Sequence, residues 1–185
     1  MGIDQALRRR AAFLDRDGVL NRAPVRDGVP HPPASPAELE ILPGVAQALQ
    51  RLRAAGYLNV VVTNQPDVAR GTAARAEVDA IHRALAAALP IDAFYACLHD
   101  DADRCDCRKP LPGLLLRAAR ERDIDVAASV MIGDRWKDIA AGRAAGCRTV
   151  WIRLGYDEPA ATGMDRVCGS LPEAVEWLLG STGRE

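Results

Sequence analysis

Two acidic residues, Asp15 and Asp17, stand two positions apart after a short apolar run near the start of the chain. The run gives way to Gly18, which is typical of a buried strand that enters a loop at its carboxyl end. Side chains at positions i and i+2 of an extended segment point the same way, so the two carboxylates can converge on one point. Asp and Gly also favour surface turns, and this segment alone leaves both interpretations open.

Polar side chains also follow three later apolar runs of the chain. They are Thr63, Asn64 and Gln65 after residues 59–62, Lys109 after residues 92–97 and their loop, and Asp134 and Asp138 after residues 129–132. The carboxyl ends of parallel strands gather at one edge of a sheet, where α/β proteins bind ligands. The sequence therefore predicts one site at that edge, with Asp15 and Asp17 in it.

The acidic residues predict a magnesium site and covalent phosphate chemistry. Three carboxylates at one edge repel each other unless they share a cation, and hard oxygen ligands favour Mg²⁺. We predict that Asp15, Asp134 and the backbone carbonyl of Asp17 hold it. The Asp15 carboxylate is the predicted nucleophile that attacks phosphorus and forms an aspartyl-phosphate. Asp17 is the predicted general acid for the leaving alkoxide and then the general base for water.

Phosphoryl transfer also needs hydrogen-bond donors for the equatorial oxygens of the transferred group. The Thr63 hydroxyl, backbone N–H groups around Asn64 and the ammonium of Lys109 are predicted to supply them. Gln65 is placed in the same phosphate-binding and substrate-binding group. Asp138 is predicted to have a supporting role.

Three cysteines and a histidine crowd into eleven residues, which in a cytosolic setting indicates a metal site rather than disulfides. They supply a complete tetrahedral ligand set for a structural Zn²⁺, namely Cys97, His99, Cys105 and Cys107. Chance clustering of free cysteines is the alternative. Because Lys109 lies two residues beyond the last ligand, zinc is predicted to hold Arg108 and Lys109 at the sheet edge.

Apolar periodicity predicts strands and helices that alternate along the chain. The predicted strands cover residues 11–14, 59–62, 92–97, 129–132 and 149–152, and the helices cover residues 43–56, 73–89, 112–121 and 136–145, with a last helix after a capping box at Ser170 and Glu173. This order predicts an α/β fold, a single doubly wound parallel sheet with helices on both faces and no cap domain. Residues 11–180 are the predicted domain, between a lead-in at 1–10 and a tail at 181–185.

Residues 21–40 contain five prolines, which predicts a long loop beside the site rather than a helix or an inner strand. His31 in this loop is predicted to be solvated. His82 is predicted to lie on a helix face without a chemical role. Cys147 and Cys168 are predicted to be small buried side chains.

The balanced charge and the lack of long apolar runs argue against several classes of partner and location. A formal net charge of −1 argues against a nucleic-acid or acidic-membrane surface. No apolar run approaches membrane-spanning length. The apolar run after the three arginines at 8–10 covers only residues 11–14, which is too short for the apolar region of a secretory signal. We therefore expect a cytoplasmic protein.

Four motifs follow one another along the chain, in the order Asp15-Arg16-Asp17-Gly18, Thr63-Asn64, Lys109-Pro110 and Gly133-Asp134 with Asp138. This order resembles the four motifs of the haloacid dehalogenase (HAD) superfamily of phosphatases, over most of the chain. The resemblance implies the same nucleophile, acid/base and magnesium assignments, including the use of the Asp17 carbonyl.

The cysteine segment, which ends in Cys105-Asp106-Cys107-Arg108-Lys109-Pro110, resembles a smaller branch of that superfamily. The branch contains the D-glycero-D-manno-heptose 1,7-bisphosphate phosphatases and the histidinol-phosphate phosphatases. Two stretches favour the heptose members, Asp-Arg-Asp-Gly-Val-Leu-Asn at 15–21 and Thr-Asn-Gln-(x)3-Ala-Arg-Gly at 63–71. The resemblance implies removal of one phosphate from the heptose bisphosphate, with Arg108 on the second phosphate; histidinol phosphate is the alternative substrate.

Two other classes of function stay open from the sequence. A catalytically silent binding module could keep the fold, but such a module usually lacks Asp15 or Asp17. A phosphatase of DNA ends would need a basic surface that tracks phosphates, which the balanced charge does not offer beyond residues 8–10. The predicted partner is a small phosphorylated metabolite such as a sugar bisphosphate, bound by a monomer.

Overall fold

The computed structural model describes residues 9–181, and six of its strands form one parallel sheet. The strands are β1 (Arg10–Leu14), β2 (Val25–Arg26), β3 (Val29–Pro30), β4 (Tyr57–Asn64), β5 (Ala93–Cys97), β6 (Val130–Gly133), β7 (Arg148–Ile152) and β8 (Arg166–Cys168). The helices are α1 (Val45–Ala54), α2 (Arg75–Ala88), α3 (Gly113–Arg122), α4 (Trp136–Ala145) and α5 (Leu171–Ser181). The sheet order is β5-β4-β1-β6-β7-β8, so the carboxyl end of β1 opens between the ends of β4 and β6.

Helices cover both faces of this sheet. Alternate residues of β1 point to opposite faces, so that Ala12 and Leu14 join a core with α1, α2 and α5. Ala11 and Phe13 join the core on the other face, with α3 and α4. Burial on both faces explains why the strand is an unbroken apolar run rather than an alternating one.

The predicted α/β architecture, one parallel sheet with helices on both faces, is confirmed.

The prediction that residues 21–40 form only a loop is wrong in detail, because they contain the hairpin β2–β3 and a 3-10 helix at Pro36–Glu38. The hairpin turns at Asp27 and Gly28, both at positive φ, and forms its own two-stranded sheet. The prolines of this segment therefore interrupt none of the hydrogen bonds of the main sheet.

Strand β8 was not predicted from the sequence, and the start of α5 was predicted only in part. Strand β8 has three residues, two of them exposed, so it lacks the apolar run that marks the inner strands. At α5 the Ser170 hydroxyl accepts a hydrogen bond from the Glu173 N–H, as predicted. The Glu173 side chain instead accepts from Gly169 N–H.

The predicted domain boundaries at residues 11 and 180 fall within a strand and a helix. Arg10, the last residue of the predicted lead-in, begins β1, and Ser181, the first of the predicted tail, ends α5. The remaining tail residues, and Arg8 with the rest of residues 1–8, lie outside the described part of the chain. Within residues 9–181, no helix is both long enough and apolar enough to cross a membrane.

Candidate active site

A cavity of about 280 Å³ lies at the carboxyl edge of the sheet. Eight of the nine residues predicted for the phosphate site line it: Asp15, Asp17, Thr63, Asn64, Arg108, Lys109, Asp134 and Asp138. The ninth, Gln65, is buried, and its amide nitrogen donates to Asp17 Oδ2 at 2.8 Å and to Thr63 Oγ1 at 2.9 Å. The structure therefore places Gln65 behind the cavity wall, where it holds two other site residues.

Lys109 lies buried between two carboxylates. Its Nζ is 2.9 Å from Asp15 Oδ1 and 2.6 Å from Asp138 Oδ1, and it donates to the carbonyl of Val62 at 2.8 Å. The second oxygen of Asp138 accepts the backbone N–H of Arg135 at 3.0 Å. Both Asp138 oxygens are thus occupied, and this residue fixes the ammonium beside Asp15.

Burial and the neighbouring charges shift the pKa values of Asp15 and Lys109. Removal from water raises the pKa of Asp15 to about 6, and Asp138 and Asp17 push in the same direction, against the opposing charge of Lys109. Burial alone would lower the pKa of Lys109. The carboxylates of Asp138 and Asp15 outweigh that effect and raise it, so the lysine stays charged.

Asp134 supplies the part of the site that fits a divalent cation. One oxygen each from Asp15, Asp134 and Asp138 lie within 4.8 Å of one another, and all three residues are buried. Asp134 Oδ1 is buried without a hydrogen-bond partner. Burial, followed by the charges of Asp15 and Asp138, raises the pKa of Asp134 well above its usual value. A bound cation would relieve both the unpaired oxygen and this repulsion, so the residues fit Mg²⁺.

The carboxylate of Asp17 points to a different set of partners. It accepts hydrogen bonds from Arg16 Nε at 3.1 Å, Arg16 Nη2 at 2.9 Å and Asn21 Nδ2 at 2.9 Å, besides the one from Gln65. Arg16 is completely buried, and we did not predict its role. One indication of this role was available in the sequence, the position of Arg16 between the two aspartates. However, the alternation of a strand predicts that the Arg16 side chain points away from both of them.

Arg16 is in turn oriented by His82, for which we predicted no chemical role. Arg16 Nη1 lies 3.2 Å from His82 Nε2, and the imidazole stacks on Phe94 with ring centroids 4.6 Å apart. Burial, followed by the charge of Arg16, lowers the pKa of His82 to about 4. A neutral imidazole can accept at Nε2, and arginine has only donors, so the direction of this hydrogen bond is fixed.

The end of β4 positions two groups in different ways. Thr63 Oγ1 accepts from Gln65, which leaves its hydroxyl proton available to a phosphate oxygen. The Asn64 side chain pairs with the backbone of Lys109, donating to its carbonyl at 3.0 Å and accepting from its N–H at 3.1 Å. Asn64 therefore holds the lysine segment against the sheet.

The four predicted zinc ligands come together at the end of β5. Cys97 Sγ lies 3.7 Å from Cys105 Sγ, 3.2 Å from Cys107 Sγ and 3.6 Å from His99 Nδ1. In a tetrahedral site with Zn–S bonds of about 2.3 Å, ligand atoms are separated by roughly 3.5–3.8 Å. The spacing is close to that geometry, so the cluster can hold a metal ion.

The cysteine loop also carries the acidic partners of two cavity arginines. Arg108 Nε donates to Asp101 Oδ1 at 2.7 Å. Arg70 lies on the segment after β4 and pairs with Asp100 through two hydrogen bonds of 2.8 and 2.9 Å. The cysteine loop therefore orients Arg108, and its ion pair with Arg70 connects it to the segment after β4.

Several cavity residues were not predicted from the sequence. Arg70, Arg135 and Lys137 add three cations to its lining, and His31 reaches it from the hairpin end. His31 was predicted to be solvated, but the residue is only partly exposed and lies on the cavity wall. Arg70 lies within the stretch at 63–71, and Arg135 and Lys137 lie between Asp134 and Asp138 at the start of α4, but the motifs indicated no role for these side chains. His31 comes from a segment that is distant in sequence.

A family model described as HAD-hydrolase-like matches residues 106–174. The chain is 38% identical over 180 residues to the D-glycero-beta-D-manno-heptose-1,7-bisphosphate 7-phosphatase of Bordetella bronchiseptica, covering 90% of this chain and 96% of the relative. It is 41% identical over 151 residues to the D-glycero-alpha-D-manno-heptose-1,7-bisphosphate 7-phosphatase of Mycobacterium tuberculosis, covering 76% and 77%. The two relatives are named for opposite anomers.

Solved structures give the same result. The crystal structure of the D,D-heptose 1,7-bisphosphate phosphatase from B. bronchiseptica, complexed with magnesium and phosphate, superposes with a TM-score of 0.80 at 36% identity. That match covers 93% of this chain and 99% of the other. A putative HAD-like phosphatase from Mesorhizobium loti matches with a TM-score of 0.73 at 28% identity, over 92% and 88% of the two chains.

Proposed function

The chain belongs to the HAD-like family of phosphatases, and from this premise we propose that it removes the 7-phosphate of a D-glycero-D-manno-heptose 1,7-bisphosphate. One observation carries the proposal: the buried Asp15–Lys109 pair lies in a cavity that four further cations line, namely Arg70, Arg108, Arg135 and Lys137. A substrate with two phosphates needs positive charge beyond the reacting centre. The names of the relatives support the heptose as the sugar.

The proposed reaction has two steps at Asp15. Its carboxylate oxygen forms a bond to phosphorus while the bond from phosphorus to the sugar oxygen breaks, and Asp17 gives that oxygen a proton. Water then attacks the aspartyl-phosphate, and Asp17 takes its proton. Inorganic phosphate leaves and Asp15 is free again.

The residues of the site would stabilise the charge of the transferring group. Lys109, kept charged and fixed by Asp138, would offset negative charge on the phosphoryl oxygens, with the hydroxyl of Thr63 as a further donor. Mg²⁺, held by Asp15, Asp134 and the Asp17 carbonyl, would supply further positive charge at phosphorus. Asp17 would act from the position in which Arg16 and Gln65 hold it.

We assign the second phosphate to Arg108. Its side chain is 10% exposed and its Nε is held by Asp101, so little side-chain entropy is lost when it binds an anion. In this assignment zinc at Cys97, His99, Cys105 and Cys107 orders the loop that carries both Arg108 and Asp101.

Loss of zinc is expected to lower activity by disordering that loop. A variant with Cys97→Ser and Cys105→Ser should lose bound zinc and about 10²-fold in kcat/KM, because displacement of a binding group by about 1 Å can cost that much. The measurement is metal content by mass spectrometry beside kcat/KM. Cys147→Ser, at a buried cysteine outside the cluster, should keep both values. Full activity in the zinc-free double variant would contradict the role of the metal.

A panel of substrates tests the proposed function. Phosphate release with Mg²⁺ is measured for both anomers of heptose 1,7-bisphosphate, for histidinol phosphate and for simple sugar monophosphates. We expect the highest kcat/KM for one anomer of the bisphosphate. Preference for histidinol phosphate, or equal turnover of the two substrates, would reject the heptose assignment. Zero turnover across the panel would favour a silent binding module.

The limits of the domain, a monomeric state and a cytoplasmic location stay predictions. The proposed substrate is a small phosphorylated metabolite, so the chemistry needs neither a nucleic-acid surface nor a membrane. Gel filtration with light scattering would test the oligomeric state.

A further inference from the structure

Tyr156, on the loop after β7, reaches the carboxylate of Asp134. Its hydroxyl donates to Asp134 Oδ2 at 2.8 Å. The other oxygen, Oδ1, is buried without a partner. One oxygen of this carboxylate is therefore held by the tyrosine, and the other is left for a cation.

The two residues that follow Tyr156 anchor its loop. The backbone N–H of Asp157 donates to the carbonyl of Gly28 in the hairpin at 3.0 Å. The carboxylate of Glu158 pairs with Arg135, the residue after Asp134, with 2.8 Å from Arg135 Nε to Glu158 Oε2. These contacts hold the loop that carries Tyr156 in place relative to β6, the strand that Asp134 follows.

Close packing restricts the Asp134 carboxylate further. A Cβ at Gly18 would overlap Asp134 Oδ2 and lie 2.8 Å from the Tyr156 hydroxyl oxygen, so the glycine backbone covers this hydrogen bond. The backbone of Asp134 is also tied down, because Trp151 Nε1 donates to its carbonyl at 2.9 Å. In this closely packed position, the hydrogen bond from the tyrosine hydroxyl fixes the orientation of the Asp134 carboxylate.

We propose that Tyr156 is a positioning residue that directs Asp134 Oδ1 toward the metal and thereby sets the affinity of the site for Mg²⁺. The inference rests on the proposed magnesium assignment. Without the hydroxyl, Oδ2 loses its partner and the carboxylate can rotate away from the cluster with Asp15. Partners of metal ligands typically contribute 10–100-fold to metal affinity when removed.

The test compares Mg²⁺ binding to the metal-free wild type and to Tyr156→Phe by titration calorimetry without substrate. The variant keeps the ring, which lines an apolar cavity beside Val19 and Ile152, and removes only the hydroxyl. We expect the dissociation constant for Mg²⁺ to rise about 10–100-fold. Phosphatase activity of the variant should approach that of the wild type when Mg²⁺ is raised in proportion.

Tyr95→Phe is the matched control. Tyr95 also donates its hydroxyl to a carboxylate, Glu121 Oε2 at 2.9 Å, but lies away from the acidic cluster, so its loss should leave Mg²⁺ affinity unchanged. Equal Mg²⁺ affinity in wild type and Tyr156→Phe would overturn the proposed role of Tyr156 but not the magnesium assignment. An equal loss in both variants would also overturn that role. If the wild type binds no Mg²⁺, the magnesium assignment on which the role of Tyr156 depends is rejected.

Discussion

Replacing Asp15 by asparagine is expected to abolish phosphate release, with a loss of at least about 10⁴-fold in kcat. An amide has the shape of the carboxylate but cannot attack phosphorus, so no aspartyl-phosphate forms. The fold should survive, because the substitution keeps the side-chain volume and an oxygen that can accept from Lys109. The measurement is phosphate release from the best substrate of the panel, beside a thermal melt that checks folding.

Asp17→Asn separates the two steps of the reaction. This variant keeps the nucleophile, and p-nitrophenyl phosphate has a leaving group that needs no proton. Asp15 should therefore still be phosphorylated, while hydrolysis of the intermediate slows. Radiolabelled phosphate should accumulate on the Asp17 variant and never on Asp15→Asn. An Asp15→Asn enzyme that keeps more than about a hundredth of wild-type kcat would contradict covalent catalysis at this residue.

The positions of Asp15 and Asp134 show how far the sequence could predict the site. Each follows an apolar run, and neighbouring parallel strands must bring their carboxyl ends together, so their proximity follows from the order of the strands. The cysteine cluster could be predicted for a simpler reason, because all four ligands lie in one short loop. Their roles in catalysis stay proposals that the variants above test.

The partners of these residues could not be predicted in the same way. Tyr156 reaches Asp134 from an irregular loop, where no periodicity fixes the direction of a side chain. Arg16 contacts Asp17 beyond the end of β1 at Leu14, where the alternation of a strand no longer fixes the direction of a side chain. His82 lies on the helix face as expected, but its contact with Arg16 depends on how α2 packs on the sheet. Such contacts depend on tertiary packing, which a local pattern does not contain.

Replacing Lys109 by methionine is expected to cost about 3–5 kcal/mol in the free energy of unfolding near neutral pH, because it leaves buried carboxylates without their cation. Asp15 and Asp138 both lie within 3 Å of the ammonium, and Lys109 is 2% exposed. Activity should fall about 10²–10³-fold, the usual effect of removing one preorganised donor. Urea unfolding and steady-state kinetics measure the two effects.

The pH dependence of this stability loss distinguishes a charge effect from lost packing. Burial raises the pKa of Asp15 above its value in the unfolded chain, and without Lys109 the opposing influence is gone. The folded variant then binds more protons than the unfolded chain, so its stability should increase from about pH 8 to about pH 5 relative to wild type. Lys137→Met, at a half-buried lysine on the same cavity, should lose little stability at either pH. A loss for Lys109→Met that is the same at both pH values would mean that methionine disrupts packing and that the carboxylates do not depend on the lysine charge.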